Sequence, residues 1–319
     1  MITVVLLVFA ALVTFSALRW LAVAAWTSRA PRLGIAAWYA VLGTVAIAII
    51  SAIAEALIPL PGATPAWCDA VIWCAEAMDD THSPTAGFTA RLLASLTAFA
   101  AMLTAIRVLH GARAVAQDRT RHRNAVCLAG RVREDLDATV IDHPQPAAYV
   151  ISGRTCRVVV TSGALRHLSA AQLAAVLAHE RAHAAGHHQL LLDVVRVTAA
   201  ALPRFTVIAT ARDQVERLIE IRADDVAARR HRRVDLAHAL VTMATTHHRE
   251  SAAPPTGLAA ATGGDATERL HRLMRPPRRL HHAVSVPSWA AVAVLPGVPL
   301  ALAAACRWWP PLATCLWGA

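Results

Sequence analysis

Apolar residues follow two different rhythms along this chain. In four places they run on with little or no charge. Met1 to Leu18 is uncharged, and apolar character resumes after Arg19 as far as Trp26. Leu33 to Ala54 is a second uncharged run, and Ala283 to Cys306, with three prolines, is the last. Between Phe88 and Leu109 only the 15 residues Leu92 to Ile106 are free of charge, bounded by Arg91 and Arg107. A transmembrane helix needs roughly 20 apolar residues. The third run reaches that length if both arginines snorkel to the interfaces. Four transmembrane helices are therefore expected, at about 2–26, 33–57 and 88–109 and within 284–319. The first has no basic start, so it does not read as a signal peptide.

From Arg107 to Ala283 the rhythm shortens. Ala138–Asp142, Ala147–Ile151 and Arg157–Thr161 predict short strands, with Ser152-Gly153-Arg154 as the turn between the last two. Ser169 has the chemistry of an N-cap for a helix running to about Ala185, in which Leu173, Val176 and Leu177 recur at helical spacing. Leu190 to Thr210 is apolar but interrupted by Asp193, Arg196 and Arg204, and reads as one buried or membrane-surface helix. Asp213 to Arg233 is a charged helical segment, and Ser251 to Ala266 a flexible Pro/Gly/Ala/Thr loop. The expected organisation is a membrane domain over 1–106, a mixed α+β domain over 107–283, and a fourth span with a short tail over 284–319.

Composition supports this division. Hydrophobic residues make up 56% of the chain and charged residues 16%, which excludes a disordered or a disulfide-dense protein. All 31 basic residues are Arg, and 26 of them lie in 107–283. The segment from Pro59 to Gly87 instead holds Asp69, Glu76, Asp79 and Asp80 and no Arg. Arginines near span ends mark the cytosolic side. Four spans then put 107–283 in the cytosol of a cell-membrane protein, with the acidic loop and both termini outside. All nine Trp lie outside 107–283, many near span ends where amphipathic rings settle. Cys68 and Cys74 fall in the outer loop and could bridge or stay as thiols; Cys127 and Cys156 fall in the cytosolic block. Arg229-Arg230-His231-Arg232-Arg233 belongs to no DNA-binding motif, so direct nucleic-acid binding is not expected, and juxtamembrane arginines attract anionic lipid.

The chemistry stands on the predicted helix at 170–185. His179-Glu180-Arg181-Ala182-His183 is an HExxH motif. Two histidines four residues apart lie on one helical face and can reach one zinc ion. Glu180, beside the first, can take a proton from the attacking water. A third protein ligand is needed. His187 and His188 tempt, but eight residues beyond His179 a continuing helix has drifted about 80°. A downstream carboxylate fits better. Glu216, Glu220, Asp224 and Asp225 lie on the charged segment, and Glu220 and Asp224 share a face. One of that pair can bind zinc while the other holds a ligand imidazole by its second nitrogen. Salt bridging with Arg217 and Arg222 is the alternative use of these acids.

The stretch from Tyr149 through His188 resembles the gluzincin membrane peptidases. Val160-Thr161-Ser162-Gly163-Ala164-Leu165 stands before the HExxH helix, and Glu220-Ile221-Arg222-Ala223-Asp224 is similar to their Glu-x-x-Ala-Asp element. Three helices, an HExxH domain and a fourth helix resemble the BlaR/MecR-type antirepressor metallopeptidases; HtpX-type and CaaX-type peptidases share the motifs. The resemblance implies a mainly α membrane protein with four transmembrane helices and a cytosolic α+β gluzincin-type domain. It implies one zinc held by His179, His183 and Glu220, Glu180 as general base, and Asp224 as the carboxylate behind a ligand. It also implies a cytosolic protein substrate, a BlaI/MecI-like repressor, with an HtpX-like quality-control peptidase and a non-catalytic receptor with structural zinc as rivals. A homo-oligomer is compatible with the sequence. The penicillin-binding sensor of BlaR and MecR would follow the last helix, where only Arg307 to Ala319 remain, so acylation by β-lactams is not expected. Tyr149 is the one Tyr of the cytosolic block; as a strand residue it is expected to pack rather than to support an oxyanion.

Overall fold

The computed structural model of the protein describes residues 2–57, 84–151, 157–250, 263–275 and 280–305. The 152–154 turn and every cysteine except Cys127, an exposed free thiol, lie outside the described residues. The chain divides into two compact units. One holds Met1–Ala24, Ala36–Arg107 and His281–Ala319; the other holds Ala25–Ile35 and Val108–Leu280.

The first unit is built from the uncharged runs. Helix α1, Ile2–Ser16, continues as a π-helical turn to Leu21. A short helix α2, Ala25–Arg29, which belongs to the second unit, then precedes α3, Pro31–Leu57, in which Pro31 occupies the first turn, where its missing N–H costs nothing. Thr44 lies buried in α3 and satisfies its hydroxyl on the Ala40 carbonyl at 2.6 Å. Helix α4, Pro84–Ala129, is one continuous 46-residue helix, and so runs 20 residues past the expected end at Leu109. Its mixed sequence has no Gly-Pro break there, and Arg and His are tolerated on a solvated helix. The last apolar run forms the helix His282–Val294, which contains Pro287 and leads into the 22-residue apolar stretch Val284–Ala305. Among the described residues, four helices are long and apolar enough to cross a membrane: Ile2–Leu21, Pro31–Glu55, Ser95–Ala129 and Val284–Ala305.

The second unit contains a four-stranded sheet and a layer of helices. The strands are β1, Arg131–Arg133; β2, Ala138–Ile141; β3, Ala148–Ile151; and β4, Arg157–Thr161. Their order is β1-β2-β4-β3. β4 inserts between β2 and β3, parallel to β2 with Thr139 opposite Val159, and antiparallel to β3 with Tyr149 opposite Val159. β1, too short to show a pattern, was not foreseen. After β4 come α5, Ser162–His167, and α6, Ala170–Ala185, the HExxH helix. Ser169 caps α6 as anticipated. Its hydroxyl accepts from the Gln172 N–H, while the Gln172 side chain accepts from the Ser169 N–H, a reciprocal capping box. Leu173, Val176 and Leu177 bury one face of α6 against Val158, Val160 and Ala138 of the sheet. Full burial of such a side chain stabilises by roughly 1.5–3 kcal/mol.

The expected single helix over 190–210 is instead two. α7, His188–Ala201, stops before Pro203, and α8, Thr206–Ala227, starts after it. A proline biases the residue before it away from the helical region, and Leu202 is accordingly non-helical. α8 thus begins seven residues before the charged segment was read to start. α9, Arg233–Glu250, and α10, Gly263–Met274, complete the unit. Neither was foreseen, and residues 263–266 of the expected loop belong to α10. The connection between the first two apolar helices also lies in this unit. Thr27 and Leu33 are buried, and Gly34 sits so close to Leu218 of α8 and to Thr27 that a Cβ there would lie 2.9 Å from the Leu218 Cδ1.

Candidate metal centre

Three helices bring the site together. α6 supplies His179, Glu180 and His183, α8 supplies Glu220 and Asp224, and α10 supplies Arg269. The helical period does the local work. His179 and His183 are one turn apart, as are Glu220 and Asp224, so each pair stands on one face. α8 packs against α6, and its Leu218, Ile219 and Ile221 are fully buried.

His179 Nε2 and His183 Nε2 are 3.0 Å apart. Glu220 faces both, with Oε2 at 3.5 Å from His179 Nε2 and Oε1 at 3.5 Å from His183 Nε2. Zinc bonds of roughly 2.1 Å in tetrahedral geometry put ligand atoms about 3.4 Å apart. The three donors match that spacing, and two imidazoles with one carboxylate leave a fourth position open, so the residues fit a zinc ion. Among the described residues His179, His183 and Glu220 form the group whose ligand atoms converge in this way. His187, set aside on helical geometry, is not in it.

Behind the donors the surroundings differ. Asp224 Oδ1 lies 2.9 Å from His179 Nδ1, an ion contact rather than a straight hydrogen bond. Asp224 is 2% exposed, and the Arg269 guanidinium grips it twice, Nε to Oδ2 and Nη2 to Oδ1, both at 2.8 Å. The remaining Nη1 of Arg269 reaches Glu220 Oε2 at 2.9 Å. Burial works against both carboxylates, but His179 and Arg269 hold them well below the usual range. The other acids are used elsewhere: Glu216 pairs with Arg196 at 2.7 Å and Asp225 with Arg272 at 2.8 Å. Arg217 pairs with Glu268, also at 2.7 Å.

These charges set the metal-free protonation states. Burial lowers the His183 imidazole to about 3, leaving it neutral. Burial also opposes a charge on His179, yet Asp224 and Glu220 raise that ring to about 10. Burial pushes the Glu180 carboxyl up to about 7, with His179 and Arg269 pulling it back. A group near the working pH is suited to take and return a proton.

Two residues of the site were missed in the sequence. Arg269 lies 45 residues beyond Asp224 on a helix with no motif, so no spacing pointed to it. His188 was judged on a helix that continues, but α6 ends at Gly186 and the chain turns back. The His188 ring meets His183, with Nδ1 of one 3.2 Å from Nδ1 of the other. Tyr149 packs as expected: it lies beside Val126, Ile151 and Val159, with its hydroxyl 3.1 Å from His122 Nε2.

The Val160–Leu165 motif stitches the sheet to this site. Thr161 accepts from the N–H of Ala147 and of Ala164, and donates to the Gln145 carbonyl. Gly163 is pressed against the Pro144 carbonyl, where any Cβ would overlap it. The register of β3, an outer strand that touches α6, is thereby fixed. Because the Thr161 N–H donates to the Ala147 carbonyl, alternation turns the backbone groups of Ala148 and Val150 to the open side.

The model of Peptidase family M48 matches residues 116–277, just over half of the chain. The match runs from the end of α4 through α10 and so covers every residue of the centre. No solved structure matches the chain.

Proposed function

The chain belongs to Peptidase family M48, a family of zinc metallopeptidases, and from that premise we propose which residues perform the hydrolysis and on what. His179 and His183 bind zinc through Nε2 and Glu220 through its carboxylate. Asp224 holds the far nitrogen of His179. Zinc, when bound, polarises the scissile carbonyl and lowers the pKa of the attacking water. Glu180 takes the proton from that water as it attacks and delivers it to the leaving amine nitrogen. β3 receives an extended substrate by strand addition through the free backbone groups of Ala148 and Val150. The observation that carries this reading is the convergence of three ligand atoms beside a carboxyl whose own pKa lies near neutrality.

In this reading the chain crosses the cell membrane four times, with the peptidase domain cytosolic and both termini outside, as the arginine distribution favours. Its substrate is a cytosolic protein, a BlaI/MecI-like repressor in the BlaR/MecR-type version. An HtpX-like membrane-protein peptidase accounts equally for the family match and for the four apolar helices.

One variant addresses both. Glu180→Gln keeps size and polarity but cannot accept the proton. It is expected to retain zinc and to lower turnover by roughly 10²–10⁴-fold, the usual loss for a general base. Proteins that accumulate in membranes and cytosol of the variant strain, identified by quantitative proteomics, name the substrate. A small DNA-binding protein supports the antirepressor version, whereas damaged membrane proteins support the HtpX-like one. Wild-type cleavage by Glu180→Gln overturns the assignment of the base.

A further inference from the structure

His188 lies outside the metal group, yet it is buried and its ring stands edge-on to His183 with centroids 4.9 Å apart. The turn that brings it there is specific. α6 closes at Gly186, whose N–H bonds the Ala182 carbonyl at 3.0 Å. His187 then takes a left-handed conformation, φ 49°, one of two such non-glycine residues among those described. That reversal carries the next ring back beneath the last turn of α6. Gly186 makes room for it: a Cβ built there would overlap both Nε2 and Cδ2 of His188.

Resting on the ligand assignment above, we infer that His188 is the positioning residue for His183, and that Gly186-His187-His188 is the segment that seats it. The tautomers follow from the ligand set. His183 turns Nε2 toward His179 and Glu220, so its proton is on Nδ1. The Nδ1–H donates to His188 Nδ1, and His188 carries its own proton on Nε2. A ligand histidine is usually fixed by a carboxylate, carbonyl or water on its second nitrogen. Here the two ligand histidines are fixed differently, His179 by Asp224 and His183 by a neutral ring. A neutral acceptor orients the ligand without adding a fourth negative charge beside Glu180, Glu220 and Asp224.

The test is zinc affinity of the full-length protein in detergent, read by competition with a chromogenic chelator. His188→Phe fills the space but cannot accept a hydrogen bond, and is expected to weaken zinc by roughly 10–100-fold. His188→Gln supplies an amide oxygen as acceptor and should recover part of that loss. Gly186→Ala should weaken zinc to a similar degree, and the double variant Gly186→Ala/His188→Phe no further than either alone, since both act on one contact. Cobalt-loaded His188→Phe should show an altered visible absorption spectrum while the melting temperature of the metal-free protein stays near that of the wild type. Wild-type zinc affinity in His188→Phe, or full additivity with Gly186→Ala, overturns the inference. If the wild type itself binds no zinc, or His183→Ala binds it as tightly as the wild type, it is the ligand assignment that fails.

Discussion

The membrane-type unit and the peptidase unit use apolar residues in opposite ways. In the most apolar parts of Ser95–Ala129 and Val284–Ala305 almost nothing is covered by protein, and Leu12, Phe15, Ile50 and Phe99 stand outward. In α8 the apolar residues Val215, Leu218, Ile219 and Ile221 are wholly enclosed. The charges are reversed as well. The stretch Ile2–Leu21 holds only Arg19 and Val284–Ala305 no charge at all, whereas the peptidase unit buries Asp224 and holds it between His179 and Arg269. A lipid-facing helix has its solvent supplied and needs only length and apolarity. A catalytic core must enclose its own dry space, and a charge inside it survives only with a partner.

The sharpest way to break this contrast is to remove the charge partner. Arg269→Met leaves the enclosed Asp224 carboxylate without its guanidinium. Breaking a buried pair costs about 3–5 kcal/mol. Loss of folded protein or of zinc is expected, measured by melting and metal content in detergent. A variant as stable and as zinc-replete as the wild type would show that Arg269 is not needed to keep the acids charged.

A matched pair of truncations comes next. Ile221→Ala, in the enclosed face of α8, is expected to cost about 2–5 kcal/mol. Ile50→Ala, on the outward face of α3, is expected to change stability in detergent by less than about 1 kcal/mol. Apparent melting temperatures of the two variants decide it; equal effects would mean that Ile50 is covered by protein.

The last test is the pH dependence of the metal-free enzyme. His179 is raised from 6.5 to about 10, so its ion contacts stabilise fully below pH 6.5 and are lost as pH rises through 10. Glu180, raised from 4.5 to about 7, disfavours the fold increasingly from pH 4.5 to 7. Chelator-treated protein should therefore melt at lower temperature at pH 10 than at pH 7. Zinc-loaded protein, with His179 unprotonated as a ligand, should not share that fall. Parallel curves with and without zinc would remove His179 from the ligand set.

Much of the site was legible because it is local. His179 and His183 share a turn, Ser169 announces the start of their helix, and Glu220 with Asp224 repeats the same spacing. Uncharged length likewise marked the apolar helices. Legibility failed at helix ends. Pro203 splits the run over 190–210, Gly186 ends α6 before His188, and α4 runs past Leu109 where nothing in its sequence stops it.

Residue types at helical spacing, together with uncharged length, determined by themselves that this chain carries an HExxH zinc chemistry beside apolar helices. Only the tertiary structure decided which of Glu220 and Asp224 meets both histidines, and that Arg269 and His188 stand behind them. The reason is physical. Spacing along one helix specifies which residues share a face, but which face meets another helix depends on the packing of α6, α8 and α10 against one another. A chain reversal such as that at Gly186-His187 brings together rings that no helical period predicts.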